Sequence, residues 1–233
     1  MNSRSRIILT LTFFAFVSAP LRADELHYLS ADQFDPIAVL PPPPEPGSPE
    51  QAADLATVIA VHNACAPSEF ALAKSQDKYN VFVFASAIGP LFQRDKLPLT
   101  EALLHRVGKE TDEIQGAAKR HWKRLRPYEI DPSLAAKLKP ENTFSYPSAH
   151  STSATVFALL LADLFPEKQN EILALGRNIG WHRVELAKHY PTDIYAGRVL
   201  AMAIVRELKA SPAFQKDFAA AKAEAATAIQ QHP

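Results

Sequence analysis

Apolar residues recur along this chain at intervals of three and four rather than in alternation, and prolines or small polar residues bound the segments they define. That pattern predicts a helix from Ser48 or Pro49 through position 61, and shorter ones over 69–74 and 80–88. Thr100 is placed to cap a long helix over 101–124, which must stop at Arg126-Pro127 because the residue before proline avoids helical angles. Positions 150–165 read as a nearly all-apolar helix with small residues at its start, closed by Pro166. Its length and Asp163 suit a buried core helix better than a membrane span. Helices over 167–185, 192–209 and 212–229 complete the series. No stretch alternates as a strand would, and no repeat or second domain is visible. The expected fold is all-α, a single-domain helical bundle over residues 50–233.

Two segments precede that domain. Residues 1–23 carry a basic start at Arg4 and Arg6, an apolar run from Ile7, and a small-residue cleavage site at Leu21-Arg22-Ala23. They read as a signal peptide too short to span a bilayer, which needs about 20 apolar residues. The expected location is therefore periplasmic or secreted. Residues 24–49 hold the run Pro41 to Pro44 and read as a Pro-rich arm of extended backbone laid on the domain surface.

Charge narrows the partners. The formal net charge is zero, and losing Arg4, Arg6 and Arg22 with the leader would take the mature chain from 0 to −3. Such a chain is a poor nucleic-acid binder, so converging basic residues suit a small anionic ligand. Cys65 is the one cysteine, which excludes an intramolecular disulfide. It reads as a buried free thiol.

Three clusters carry candidate chemistry. Lys119 and Arg126 are seven apart, two turns of helix, so both can point from one face near its C-terminal end; a solvated basic face is the plainer reading. Pro147-Ser148-Ala149-His150 falls where a loop becomes an apolar helix, so backbone N–H groups, the Ser148 hydroxyl and the His150 ring can meet an anion there. In an ordinary helix cap, Ser145, Ser148 or Ser151 would satisfy the helix N-terminus. In His182-Arg183-x5-His189-x3-Asp193, Pro191 belongs in the first turn of a helix that lets Asp193 reach back to His189. A carboxylate on one imidazole nitrogen leaves the other as nucleophile or base, and Arg183 offers a planar fork to phosphate.

Together the clusters resemble the type 2 phosphatidic acid phosphatase superfamily, whose pattern is K-x6-RP, PSGH and SR-x5-H-x3-D. The chain is most similar to the secreted bacterial class A acid phosphatases, a likeness shared by Phe144-Ser145-Tyr146, positions 168–173 and positions 211–215. Two positions depart from the pattern: Ala149 stands for the glycine of PSGH, and His182 for the serine before Arg183. The resemblance implies the bundle shared by these phosphatases and the vanadium haloperoxidases. It implies an acid phosphatase acting on small phosphomonoesters without metal or cofactor. His189 would be the nucleophile, Asp193 its orienting partner and His150 the general acid. Lys119, Arg126, Arg183, Ser148 and the Ala149 N–H would hold the phosphoryl oxygens, with His182 as a further donor or a pocket-narrowing side chain. Inorganic phosphate would bind as product. No membrane or nucleic-acid partner is implied, and homo-oligomers are common in the family. A vanadate-dependent haloperoxidase, a metal hydrolase built on His150, His182, His189 and Asp193, and a phosphate-binding protein with turnover lost through His182 remain open as alternatives.

Overall fold

Prolines open most of the helices of this computed structural model, which describes residues 28–29, 34–78, 80–137 and 139–231. A proline at the first helical position loses nothing, since its missing N–H would have no intrahelical partner there. The α-helices are α1 (Pro36–Val39), α2 (Pro49–Ala64), α3 (Pro67–Ser75), α4 (Ala85–Ile88), α5 (Pro98–Trp122), α6 (Pro127–Ile130), α7 (Ala149–Leu164), α8 (Gln169–Glu185), α9 (Pro191–Ala210) and α10 (Pro212–Gln231). Short 3-10 turns at Val81–Phe84, Pro132–Lys137 and Pro166–Lys168 lie between them. No strand occurs among the described residues, so the architecture is the expected all-α bundle.

Helix α7 is the axis on which the bundle is built. Val156, Leu160, Leu161 and Ala154 are fully buried, and α8 and α9 pack along it. Close approach depends on small residues. A Cβ on Gly176 of α8 would fall 2.7 Å from the Ala158 Cβ, and one on Gly197 of α9 would fall 2.9 Å from the Ser148 carbonyl oxygen. Two hydrogen bonds then fix the register of α7 against α9: Ser151 Oγ donates to the Ile194 carbonyl at 2.8 Å, and the Ser148 N–H donates to the Asp193 carbonyl at 3.1 Å. The second and third sequence clusters are thus locked side by side through backbone.

Several expectations need correction. Helix α5 starts at Pro98 with Leu97 as its cap, and Thr100 sits inside the first turn, where Glu224 of α10 accepts its N–H and hydroxyl. That helix also ends at Trp122, with Lys123 in the left-handed conformation at φ 50°. Arg126 therefore lies beyond it, and Lys119 and Arg126 do not share a helix face. The span 80–88 is a 3-10 turn followed by α4, with Asn80 capping the turn. Cys65 follows α2 at intermediate exposure rather than inside the core.

The described part of the arm is more than a surface strap. Tyr28, Phe34 and Leu40 are buried in the main core, and both oxygens of Glu110 accept the backbone N–H groups of Tyr28 and Leu29. The Tyr146 hydroxyl donates to the Pro41 carbonyl at 2.6 Å, tying the proline run to the loop before α7. The leader expected at 1–23 lies outside the described residues.

Candidate active site

The nucleophile candidate is held in one tautomer by its neighbours. His189 is almost completely buried, and its Nε2 stands 3.1 Å from Nη1 of Arg126. A guanidinium only donates, so Nε2 must present a lone pair. The proton then belongs on Nδ1, which faces Asp193 Oδ2 and Ser145 Oγ, each at 3.3 Å. Burial, with Arg126, Lys119, Arg183 and His150 adding repulsion, holds the His189 pKa well below 6.5. Neutral imidazole with a bare Nε2 is the nucleophilic form.

Asp193 is fixed in turn by a network the sequence reading missed. Arg124 donates to Asp193 Oδ1 at 2.7 Å and to Asp54 Oδ2 at 2.8 Å, and its guanidinium carbon lies 3.9 Å from the centre of the Tyr190 ring. Gln51 and Thr192 bond the same guanidinium, and the Thr192 hydroxyl also donates to Asp54. Ser145 Oγ and the Tyr190 N–H occupy Asp193 Oδ2. A basic run containing Arg124 was visible in the sequence, but nothing local marked it as buried rather than solvated.

The other cations converge from separate elements. Lys119, on the last turn of α5, donates to the carbonyls of Phe144 at 2.5 Å and Ser145 at 3.2 Å. Arg126, capping α6, binds Thr143 through its carbonyl and hydroxyl and reaches the Lys188 carbonyl at 2.9 Å. Arg183 projects from the last turn of α8 to Asp77 Oδ1 at 2.5 Å and Glu141 Oε1 at 2.9 Å. Burial and the nearby Arg126 bring the Lys119 pKa down to about 7, against weaker pulls from Asp193 and Glu141. Crowding these cations costs energy that an anion would return.

Ser148 caps α7, its Oγ accepting the Ser151 N–H at 3.4 Å. Ala149 takes the first helical position, where a backbone N–H has no intrahelical partner. His150 follows, its Nε2 bonded to the Asp77 carbonyl at 3.2 Å. Burial, then Arg183, lowers its pKa to about 3. Beside it opens a cavity of about 410 Å3 lined in part by Ala149, His150, His105, Phe82 and Phe157. His182 turns away from the cation cluster, its Nδ1 lying 2.6 Å from Gln76 Oε1. The remaining site candidates come together; His182 joins them only through the turn that carries Asp77.

Among the described residues, no group of three or more His, Cys, Asp or Glu could hold a metal ion. No helix there is long and apolar enough to cross a membrane.

Residues 111–216, which span the three clusters, match the PAP2 superfamily. The chain is 32% identical to an acid phosphatase of Zymomonas mobilis subsp. mobilis, over 82% of this chain and 75% of the relative. It is 29% identical to a non-specific acid phosphatase of Providencia stuartii, over 86% of this chain and 85% of that one. A transmembrane PAP2-type phosphatidylglycerolphosphate phosphatase from Bacillus subtilis shares the fold at a TM-score of 0.50, with 21% identity over 69% of this chain and 84% of that one. The chain belongs to the PAP2 superfamily. Within it, this is a phosphatase related to the bacterial non-specific acid phosphatases.

Proposed function

We propose that this phosphatase hydrolyses small phosphomonoesters through a phosphohistidine on His189, with no metal, in the periplasm or outside the cell. The observation that carries this reading is the bare Nε2 of His189, fixed by Arg126 on one side and by Asp193 on the other, within a ring of buried cations. In the first step Nε2 attacks phosphorus and the bond to the leaving oxygen breaks. His150 gives that oxygen its proton, and Asp193 balances the positive charge arising on the Nδ1–H imidazole. In the second step water attacks phosphorus, His150 takes its proton, the P–N bond breaks and phosphate leaves. Lys119, Arg126, Arg183, the Ser148 hydroxyl and the Ala149 N–H hold the phosphoryl oxygens throughout.

His150 must be protonated to act first, and its pKa of about 3 leaves it neutral at ordinary pH. A phosphate dianion beside it favours the charged ring and raises its pKa, so substrate supplies part of the acid's own activation. The expected optimum is mildly acidic. The cavity beside His150 is where the departing alcohol would sit, and its size suits a small organic group. The location rests on the leader read at residues 1–23.

The test is p-nitrophenyl phosphate hydrolysis between pH 5 and 7 with EDTA present, against His189→Ala. Activity that survives chelation, disappears in the variant, and leaves an acid-labile phosphoenzyme on rapid quench is the expected result. Full activity in His189→Ala, or its loss on chelation, would overturn the mechanism.

A further inference from the structure

One buried cation has no part in the scheme above. Lys188 immediately precedes the nucleophile, is 3% exposed, and lies outside the motif positions. Its Nζ contacts Asp77 Oδ1 at 2.6 Å and Glu141 Oε1 at 2.9 Å. Those are the same two oxygens that Arg183 binds through Nη1 and Nη2. Two anionic oxygens are thus each shared between the Lys188 ammonium and one arm of the Arg183 fork. Two oxygens of one phosphoryl group can bridge the same donors. The two carboxylates are the outermost members of the cluster, each 30% exposed, whereas the cations behind them are nearly dry. Lys188 is also held in place, since its carbonyl accepts from Arg126 and its neighbour is His189.

Resting on the phosphatase reading, we infer that Lys188 is a further phosphate ligand of this enzyme, and that Asp77 and Glu141 hold its place and Arg183's until substrate arrives. On binding, phosphoryl oxygens replace the carboxylate oxygens and the two side chains swing toward solvent. Burial alone would raise the Asp77 and Glu141 pKa values, but the bonds from Lys188 and Arg183 at Asp77, and the Lys188 bond with the Arg126 charge at Glu141, outweigh it and leave both lowered. Both are therefore anionic in the closed arrangement and compete with phosphate.

A purely charge-neutralising lysine would also make phosphate bind worse when removed, because Asp77 and Glu141 would then repel it. The decisive measurement removes that route. Titration calorimetry with inorganic phosphate compares the wild type, Lys188→Met, the double variant Asp77→Asn/Glu141→Gln, and the three changes together. A charged hydrogen bond to phosphate corresponds to a loss on the order of tenfold. The expected result is tighter binding in the double variant, and a Kd about tenfold weaker when Lys188→Met is added to it. An unchanged Kd on that addition would overturn the proposal, as would weaker binding in the double variant. Lys188→Gln carries the same comparison if Met impairs folding, which thermal melts would report. Wild-type protein that binds phosphate but fails the EDTA and His189→Ala test would refute the mechanism and leave the Lys188 result standing on its own.

Discussion

Two arginine-centred networks flank His189 and differ in what surrounds them. Around Arg124 the charged partners are dry: its side chain, Asp54 and Asp193 are each at most 5% exposed, and Tyr190 closes one face. Around Arg183 the guanidinium is equally buried, but Asp77 and Glu141 reach the surface. A buried ion pair holds structure, because losing one partner strands the other's charge. A pair whose anion can be rehydrated is exchangeable. Under the proposed mechanism the two networks divide the work: one would orient the nucleophile permanently, and the other would offer its cations to a passing anion.

The largest test of that division is to break each side. Arg124→Ala strands two carboxylates, and a loss of about 3–5 kcal/mol in denaturant unfolding is expected. Asp77→Asn should cost less by the same measurement, because Glu141 remains to pair the buried Arg183 and Lys188. Equal losses would erase the distinction. Next in size is Gly197→Ala, whose Cβ meets the Ser148 carbonyl and the Ser151 side chain. About 1–3 kcal/mol of overpacking is expected, with a fall in kcat as Ser148 shifts against Asp193.

The pH dependence of stability sharpens the comparison further. His150 is lowered to about 3 in the folded chain from an ordinary 6.5, so the unfolded chain binds more protons between those values and stability falls as pH drops through that window. His189 works in the same sense. The depressed Asp77 and Glu141 add stability that is present above the ordinary carboxylate range and lost as pH falls through their folded values. A melting temperature that declines steadily from pH 7 to pH 4 is expected without phosphate. Lys119, at about 7, must take up a proton to bind phosphate at alkaline pH. The rise in Tm on adding phosphate should accordingly be greater at pH 5.5 than at pH 8, and the opposite order would refute the assignment of Lys119 as a phosphate cation. The smallest effect belongs to Lys209, paired with Asp163 at 2.6 Å on the exposed surface. Lys209→Ala should stay within about 0.5 kcal/mol by denaturant titration.

Much of this was legible in the chain. Helical periodicity announced α2, α7, α8, α9 and α10, with an N-terminal proline added at α2, α9 and α10, because both are local signals. The start and end of α5 were misread for the opposite reason. Glu224, more than a hundred residues away, takes up the donors of Thr100, and a left-handed Lys123 lets the chain turn before Arg126. Neither circumstance leaves a mark on neighbouring residues. The same holds for Lys119 and Arg126, whose spacing suggested one helix face although they meet across a turn.

The spacing within each motif, a serine cap at the start of α7 and the reach from Asp193 to His189 were determined by sequence alone, since each depends on residues within a few positions of one another. Tertiary structure decided which basic residues are dry. It selected Arg124 and Lys188 from the chain's other cations, paired them with carboxylates between 47 and 111 residues away in sequence, and turned His182 toward Gln76. Burial and the partner that makes it tolerable come from distant parts of the chain, and only packing brings them together.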